Sequence, residues 1–311
     1  MAKAFIFTGQ GSQKEGMGKD LYAKSSKART VFEDANDILG YRFSDFLFSA
    51  SEEELMDTRN TQPAIFIYEV ASALGQDSIH PDCVAGHSLG EYAALVIAGV
   101  LSFDEALRFI LKRGLVFYDA FQKNPSAMGA VIGLPDDVVQ TVLNEVSEED
   151  GHRLYIANYN GPGQLVITGE RGSIKKACKL LKQRGAKRAL LLPMKGVGHS
   201  PNSREEGIIL ESELRKLTFK TPTIPIYQDV DGRPHTNPIE ILDNQIKLMI
   251  CPVQWTSLSQ NMVADGVTDF YEVGTDDTLQ KIVARMYPDL NVTSIWSCEE
   301  YKNINPYTLE L

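Results

Sequence analysis

Residues 81–100 read PDCVAGHSLGEYAALVIAGV, and how this stretch is read decides the fold. A short apolar run, DCVAG, passes through Gly86-His87-Ser88-Leu89-Gly90 into GEYAALVIAGV, a helix pattern full of small residues. A strand that becomes a helix across so few residues is the unit from which α/β proteins are built. Two readings of Ser88 stand open here: an activated nucleophile on a sharp turn, or a tight turn that contains a serine. Working outward, AFIF (residues 4–7) reads as a buried strand ended by the turn residues TGQGSQ. Helical patterns run from about Lys19 to Leu39 and from about Gln62 to Leu74. Another begins at the capping signal Ser102…Glu105. Strands alternating with helices predict a parallel sheet covered on both faces.

The middle of the chain changes rhythm. MGAVIGL, RLYIANYN, GQLVITGE and AKRALLLPM read as strands, and PDDVVQTVLNEVSEE and GSIKKACKLLKQRG as helices. The order βαββαβ is the ferredoxin-like split unit. The expected organisation is a main α/β domain, residues 1–125 and 195–311, with a subdomain of residues 126–194 inserted into it. PIYQDVDG, CPVQWTSLSQNMVADG and DFYEVG then return to the main sheet.

The 311 residues, 43% hydrophobic and 23% charged, have the composition of a soluble globular protein with room for a large core. Cys83, Cys178, Cys251 and Cys298 are scattered without a CxxC pair, which argues against a zinc or disulfide framework and fits a reducing cytosol. The first residues, MAKAFIFTGQGSQ, resemble neither a signal peptide nor a membrane span, so a cytoplasmic protein is expected. A net charge of −10 disfavours general nucleic-acid binding. The charge is uneven, however: Arg171–Arg188 carries eight basic residues and no acidic one. That segment is either a solvated helix face or a docking patch for an anionic partner.

G-x-S-x-G in a strand–turn–helix context would expose the Ser88 hydroxyl at a helix N-terminus, where free N–H groups stabilise an oxyanion. Gly9-Gln10-Gly11 tempts a phosphate-loop reading that the spacing rejects, because Met17 follows Gly16 and Lys14 stands where a third glycine belongs. It reads better as a turn whose N–H near Gln10 completes an oxyanion hole with that of Leu89. Serine needs a base, and five histidines are available. His80 and His235 stand in proline-bearing loops, His152 in a polar turn, and His87 beside the serine, where neighbouring side chains diverge. His199, in MKGVGHSPNS, is the best remaining candidate.

FTGQGSQKEGMG, TQPAIF, AGHSLGEYAAL, KRG, MGAVIGL, NYNGPGQLVITG, GAKRAL, HSP, PVQWT and YEVG occur in this order from about residue 4 to 285. The chain thereby resembles the malonyl-CoA:acyl-carrier-protein transacylases, the acyltransferases of fatty acid and polyketide synthesis. The resemblance implies an α/β-hydrolase-like large domain with a ferredoxin-like insertion. It implies a Ser88–His199 dyad, with the Gln254 backbone carbonyl orienting the imidazole. Arg113 would pair with the malonyl carboxylate, as a planar guanidinium suits. Gln10 and Leu89 would supply the oxyanion N–H groups, Gln62 would line the pocket, and Asn158 and Asn160 would flank the pantetheine channel. The substrate would be malonyl-CoA, with no cofactor and no metal. The partner would be acyl carrier protein, drawn by Arg171–Arg188, with no nucleic acid and no membrane involved.

Three departures bear on specificity. Gly196-Val197-Gly198 precedes the histidine where relatives carry serine or phenylalanine, so Gly198 suggests a roomier acyl site. Phe117 stands where methionine is common and would compensate. GTDDT (residues 274–278) replaces a glycine-proline-glycine turn and adds two acids. The alternatives to a malonyl transferase are an acyl-carrier-protein acyl hydrolase and a trans-acting polyketide acyltransferase of the same fold. A free-standing chain of one activity fits dissociated, bacterial-type fatty acid synthesis.

Overall fold

The computed structural model describes residues 2–194 and 198–295. Gly196, Val197 and Cys298 lie outside them. Ten strands occur among the described residues: β1 (Ala2–Phe7), β2 (Cys83–Gly86), β3 (Ser126–Ile132), β4 (Tyr155–Gly161), β5 (Gln164–Glu170), β6 (Arg188–Leu191), β7 (Ile226–Tyr227), β8 (Pro234–His235), β9 (Val267–Val273) and β10 (Asn291–Ser294). They form two sheets. The larger has the order β10-β9-β1-β2-β7-β8, and the smaller β4-β5-β3-β6.

In the larger sheet β10, β9, β1, β2 and β7 run parallel. The expected parallel sheet carries one antiparallel strand at its edge. The two-residue β8 pairs antiparallel with β7, and it carries His235, which the sequence placed in a loop. Gly232 follows the Asp229–Asp231 turn with a φ of 70°, and the chain reverses there instead of crossing over a helix. The central strands are buried along their length, Phe5, Ile6, Phe7 and Val84 being almost wholly covered, because helices lie on both faces.

The smaller sheet is antiparallel throughout, in chain order strand–helix–strand–strand–helix–strand. Its helices, Asp136–Asp150 and Arg171–Gln183, pack on a core drawn entirely from residues 127–191, with Val139, Leu143, Ile167, Ile174 and Leu181 fully or nearly fully buried. It meets the larger body through the β4 edge, where Tyr159 N–H donates to the Val253 carbonyl and Val253 N–H to that of Ala157, both at 2.9 Å.

One helix begins earlier than its sequence pattern suggested. The pattern reads as a helix from about Gln62, yet the helix spans Thr58–Leu74 with Pro63 inside it, because Asp57 accepts the Arg59 N–H at 3.0 Å and caps a start four residues upstream. The extra turn carries Thr58 towards the site. The capping signal at Ser102 is realised as a full capping box on the helix Phe103–Lys123, which presents Arg113 and Phe117 inward. Among the described residues no helix is long and apolar enough to cross a membrane.

Candidate active site

The site lies at the carboxyl ends of the parallel strands, in a cleft of about 430 Å³ walled on one side by the smaller sheet. β2 ends at Gly86, and the helix Gly90–Ile97 starts four residues later. Both flanking glycines are dictated by contact. A Cβ on Gly86 would fall 2.1 Å from the Gly90 carbonyl carbon, and one on Gly90 would fall 2.3 Å from the Thr8 carbonyl oxygen. The turn therefore closes only without side chains there, and Ser88 is held at φ 56°, in the left-handed region. Such a conformation costs on the order of 1–3 kcal/mol and persists where neighbours enforce it.

His199 is brought to Ser88 from 111 residues away, with Nε2 2.6 Å from the serine Oγ. It too has a positive φ, 63°, and two bonds fix it: its N–H donates to the Met249 carbonyl at 3.0 Å, and its Nδ1 lies 2.9 Å from the Leu248 carbonyl. A carbonyl only accepts, so Nδ1 carries the hydrogen and Nε2 is left as the acceptor for the serine proton. Burial, and then the charge of Arg113, pushes the imidazole down to about 3, so at neutral pH it is uncharged and ready to take a proton.

Here the sequence expectation for Gln254 is corrected. The carbonyl that orients the imidazole belongs to Leu248. The Gln254 carbonyl accepts from Leu258 N–H at 2.9 Å as the first bond of the helix Trp255–Ala264, and its N–H donates to the Asp229 carbonyl. Gln254 is thus engaged in starting a helix.

Arg113 is buried in the same cleft, 4% exposed, and among the described residues its one hydrogen bond is from Nη1 to Gln62 Oε1 at 2.8 Å. Its Nε has no partner among the described residues. The guanidinium lies against the Phe117 ring, 4.8 Å from its centroid, and among the described residues no carboxylate pairs with it. Gln62 continues the chain by donating to Thr58 Oγ1 at 3.0 Å, which reaches Gln10 Oε1 at 3.4 Å. Gln10, Leu89, Asn158, Asn160 and Gly198 all line the cleft. The backbone N–H groups of Gln10 and Leu89 take no hydrogen-bond partner among the described residues. A Cβ on Gly198 would lie 3.4 Å from Phe117 Cζ, so the phenylalanine ring occupies the space beside the glycine. His87 faces away from the serine: its Nε2 sits 2.9 Å from Asn160 Oδ1, and its ring packs on Trp255.

A model of the acyl transferase domain matches residues 4–303. The chain belongs to the acyl transferase family. The malonyl CoA-acyl carrier protein transacylase of Bacillus subtilis is 34% identical to it over 310 residues, 99% of this chain and 95% of that one. The crystal structure of an acyl carrier protein S-malonyltransferase from Vibrio cholerae superposes with a TM-score of 0.90 at 33% identity, covering 98% of this chain and all of that one. A type II PKS acyl-carrier protein in complex with its malonyl-transacylase provides a further match, at TM-score 0.91 and 31% identity over 98% and 99% of the two chains.

Beyond the residues expected from sequence, this acyl transferase places two buried carboxylates behind its serine. Asp229 Oδ2 accepts the Ser88 N–H at 2.5 Å, and Glu91 Oε2 accepts the Asp229 N–H at 3.1 Å. Burial raises the pKa of both carboxyls; the Glu91 charge raises that of Asp229 further, and the Asp231 charge that of Glu91. The sequence signals were faint: the first of two acids in PIYQDVDG, and another in the first turn after the elbow. Thr58 and Leu248 were also missed, the first for want of a helix start and the second because a backbone carbonyl acceptor has no side-chain signature. The added acids of GTDDT divide in role. Asp277 pairs with Lys281 at 2.6 Å, whereas Asp276 caps Thr278 and faces the cleft.

Proposed function

We propose that the chain transfers a malonyl group from malonyl-CoA to the phosphopantetheine thiol of acyl carrier protein through a malonyl-Ser88 intermediate. The observation that carries this is the buried, uncompensated Arg113 guanidinium opening onto the same cleft as the Ser88–His199 pair. A buried cation without a counter-ion is costly, and an acyl group that brings its own carboxylate removes the cost. The two-pronged face of arginine suits that carboxylate, with Gln62 holding the other side of the guanidinium in place.

The steps balance within the chain. Ser88 Oγ attacks the thioester carbonyl carbon while its proton passes to His199 Nε2, and the oxyanion is held by the N–H groups of Gln10 and Leu89. Collapse breaks the C–S bond, and the departing CoA sulfur takes the proton from His199. The carrier thiol then gives its proton to His199 and attacks the ester carbonyl, and Ser88 recovers the proton on leaving. Pairing Arg113 with malonate also offsets one of the influences that depress His199, the largest after burial, so the proper substrate strengthens the base that acts on it. Phe117 beside Gly198 fills the acyl pocket at the point where the glycine alone would widen it. Asn158 and Asn160, on the cleft wall formed by β4, flank the path of the pantetheine arm. No cofactor enters these steps, since the thioester brings the activated acyl group itself.

The larger sheet serves as an α/β-hydrolase-like domain of residues 1–125 and 195–311. Residues 126–194 serve as a ferredoxin-like subdomain, a division supported by the strand order β4-β5-β3-β6 and by a core drawn from residues 127–191. Its helix Arg171–Gln183 and β6 carry the basic segment. Lys176 and Arg184 pair with Glu149, Asp150 and Glu145, which leaves Arg171, Lys175, Lys179, Lys182, Lys187 and Arg188 exposed without an ion-pair partner among the described residues. This face suits the acidic carrier. The double variant Lys175→Glu/Lys179→Glu is expected to raise KM for the carrier about 5- to 20-fold and to leave acylation by malonyl-CoA unchanged, steady-state transfer against single-turnover acylation being the comparison. Equal carrier KM in the variant would remove the patch from the account. The enzyme is assigned to the cytoplasm, the compartment of its substrates.

Intact-mass spectrometry tests the whole reading. The protein is mixed separately with malonyl-CoA, acetyl-CoA and methylmalonyl-CoA, and holo carrier protein is then added. A malonyl adduct, absent from Ser88→Ala and discharged to the carrier, is the expected result. Adducts that decay to water with the carrier unloaded would assign the chain to hydrolysis instead.

A further inference from the structure

The pair behind the nucleophile has a feature that the transfer steps leave unused: two carboxyl groups, Asp229 and Glu91, are fully buried, the Glu91 carboxylate on the Asp229 N–H, and among the described residues neither has an ion-pair partner. Both cannot hold a negative charge there, because two unpaired buried charges would repel and neither is solvated. Their surroundings are unequal. Glu91 accepts three N–H groups: Gln228 Nε2 at 2.9 Å and Gln245 Nε2 on Oε1, and Asp229 N on Oε2. The orientation of Gln228 is fixed independently, since its Oε1 accepts from Asn244 Nδ2 at 3.1 Å. Asp229 accepts one, from Ser88, and its Oδ1 is buried without a partner among the described residues. Three donors solvate a carboxylate. A lone donor and an orphaned oxygen do not, and a neutral hydroxyl left unpartnered costs less than a charged oxygen left unpartnered.

We propose that Asp229 is a neutral carboxylic acid and a positioning residue for the nucleophile, its Oδ2 accepting the Ser88 N–H as an amide carbonyl would, while Glu91 carries the single charge of the pair. The proton sits on Oδ1. The bond pins the N–H of the nucleophile itself, and with it the left-handed conformation that aims Oγ at His199. A neutral acid does this without setting a full negative charge beside the site where the oxyanion forms. Charges that reach the pair come from Asp231 and His235 on the β7–β8 side, and His199 lies beyond Ser88 on the cleft side. Burial and the Glu91 charge both act to raise the Asp229 pKa, in agreement with the donor count.

Asparagine has the shape of a protonated aspartic acid, so Asp229→Asn should restore what Asp229→Ala removes. The expected results are a kcat for malonyl transfer in Asp229→Asn within about 3-fold of the wild type, and a fall of about 5- to 100-fold in Asp229→Ala, the range for leaving a buried N–H unpaired. Infrared difference spectra of wild type minus Asp229→Asn at neutral pH should show the carbonyl stretch of a protonated carboxylic acid, above the amide I band. Stability supplies a third reading with a definite sign. A carboxyl whose folded pKa is raised stabilises the fold fully below its unfolded value near 4, and that stabilisation is lost as pH rises through the folded value. The urea midpoint of the wild type should therefore fall more steeply between about pH 5 and 7, above the unfolded value and where the folded acid stays protonated, than that of Asp229→Asn.

Absence of the protonated-acid band, or an asparagine variant as impaired as the alanine one, would overturn the proposal. If Asp229→Ala does not fold, the asparagine variant and the spectra still decide it. The kinetic arm rests on Ser88 being the nucleophile, whereas the infrared and pH–stability arms do not, so failure of one reading is separable from failure of the other.

Discussion

His199→Ala slows formation of the acyl-Ser88 adduct by about four to six orders of magnitude, the loss expected when one half of a nucleophile–base pair is removed. Ser88→Ala, with no hydroxyl to acylate, forms no adduct. What distinguishes this site from a generic dyad is the pH profile. The free imidazole is pushed down to about 3, by burial first and by the Arg113 charge second. It is therefore already the free base throughout the range where an ordinary histidine titrates. kcat/KM reports the free enzyme and should stay flat from pH 7 down to about 5, where a histidine of unperturbed pKa near 6.5 would have lost most of its activity. kcat reports the substrate complex. There malonate offsets Arg113, the imidazole regains basicity, and the acid limb should move to higher pH than the limb of kcat/KM. Single-turnover acylation across pH, read by quenched mass spectrometry, gives both curves. A kcat/KM that halves near pH 6.5 would show that His199 is not held in the environment described.

The large features of the fold were legible because each is written in local chemistry. Gly86 and Gly90 flank Ser88 since no Cβ fits against Gly90 and Thr8, and that necessity is visible as G-x-S-x-G. The Ser102…Glu105 capping box and the alternation of strands and helices were visible for the same reason. What escaped reading depends on long-range juxtaposition. The carbonyl that serves His199 is Leu248, six residues before Gln254. Any residue supplies a carbonyl, and only the path of the chain after the helix Pro238–Leu248 decides which one arrives. Asp229 and Glu91 are 138 residues apart and meet across β2 and β7, a pairing with no sequence period to reveal it. The antiparallel β8 is two residues long, too short to carry an alternation. Arg113 was named by resemblance, and a helical arginine is otherwise a surface residue. Its meaning came from burial without a counter-ion.

Arg113→Met separates what this arginine does for the substrate from what it costs the protein. Methionine matches the length of the apolar stem and fits beside Phe117 and Tyr92, whose rings now face the guanidinium. The free protein should unfold at the same or a higher temperature than the wild type, because an uncompensated buried charge has been replaced by an apolar side chain. Malonyl transfer should collapse in the same variant. Two charge-assisted hydrogen bonds to the carboxylate are lost, each of about 1.5–3 kcal/mol, so kcat/KM for malonyl-CoA should fall by about 10²- to 10⁴-fold. Acetyl-CoA brings no carboxylate and loses nothing. Its acylation rate should hold or rise, since the cation that depressed His199 is gone. The ratio of malonyl to acetyl acylation is therefore the decisive quantity, and it should drop through both of its parts. Arg113→Lys should not restore it, because an ammonium cannot hold Gln62 with one edge and a carboxylate with the other. Unchanged malonyl transfer in Arg113→Met would leave the buried charge without a purpose and the carboxylate clamp disproved. A loss shared equally by malonyl- and acetyl-CoA would assign Arg113 to the shape of the pocket, and selectivity would then rest with Phe117 and Gly198.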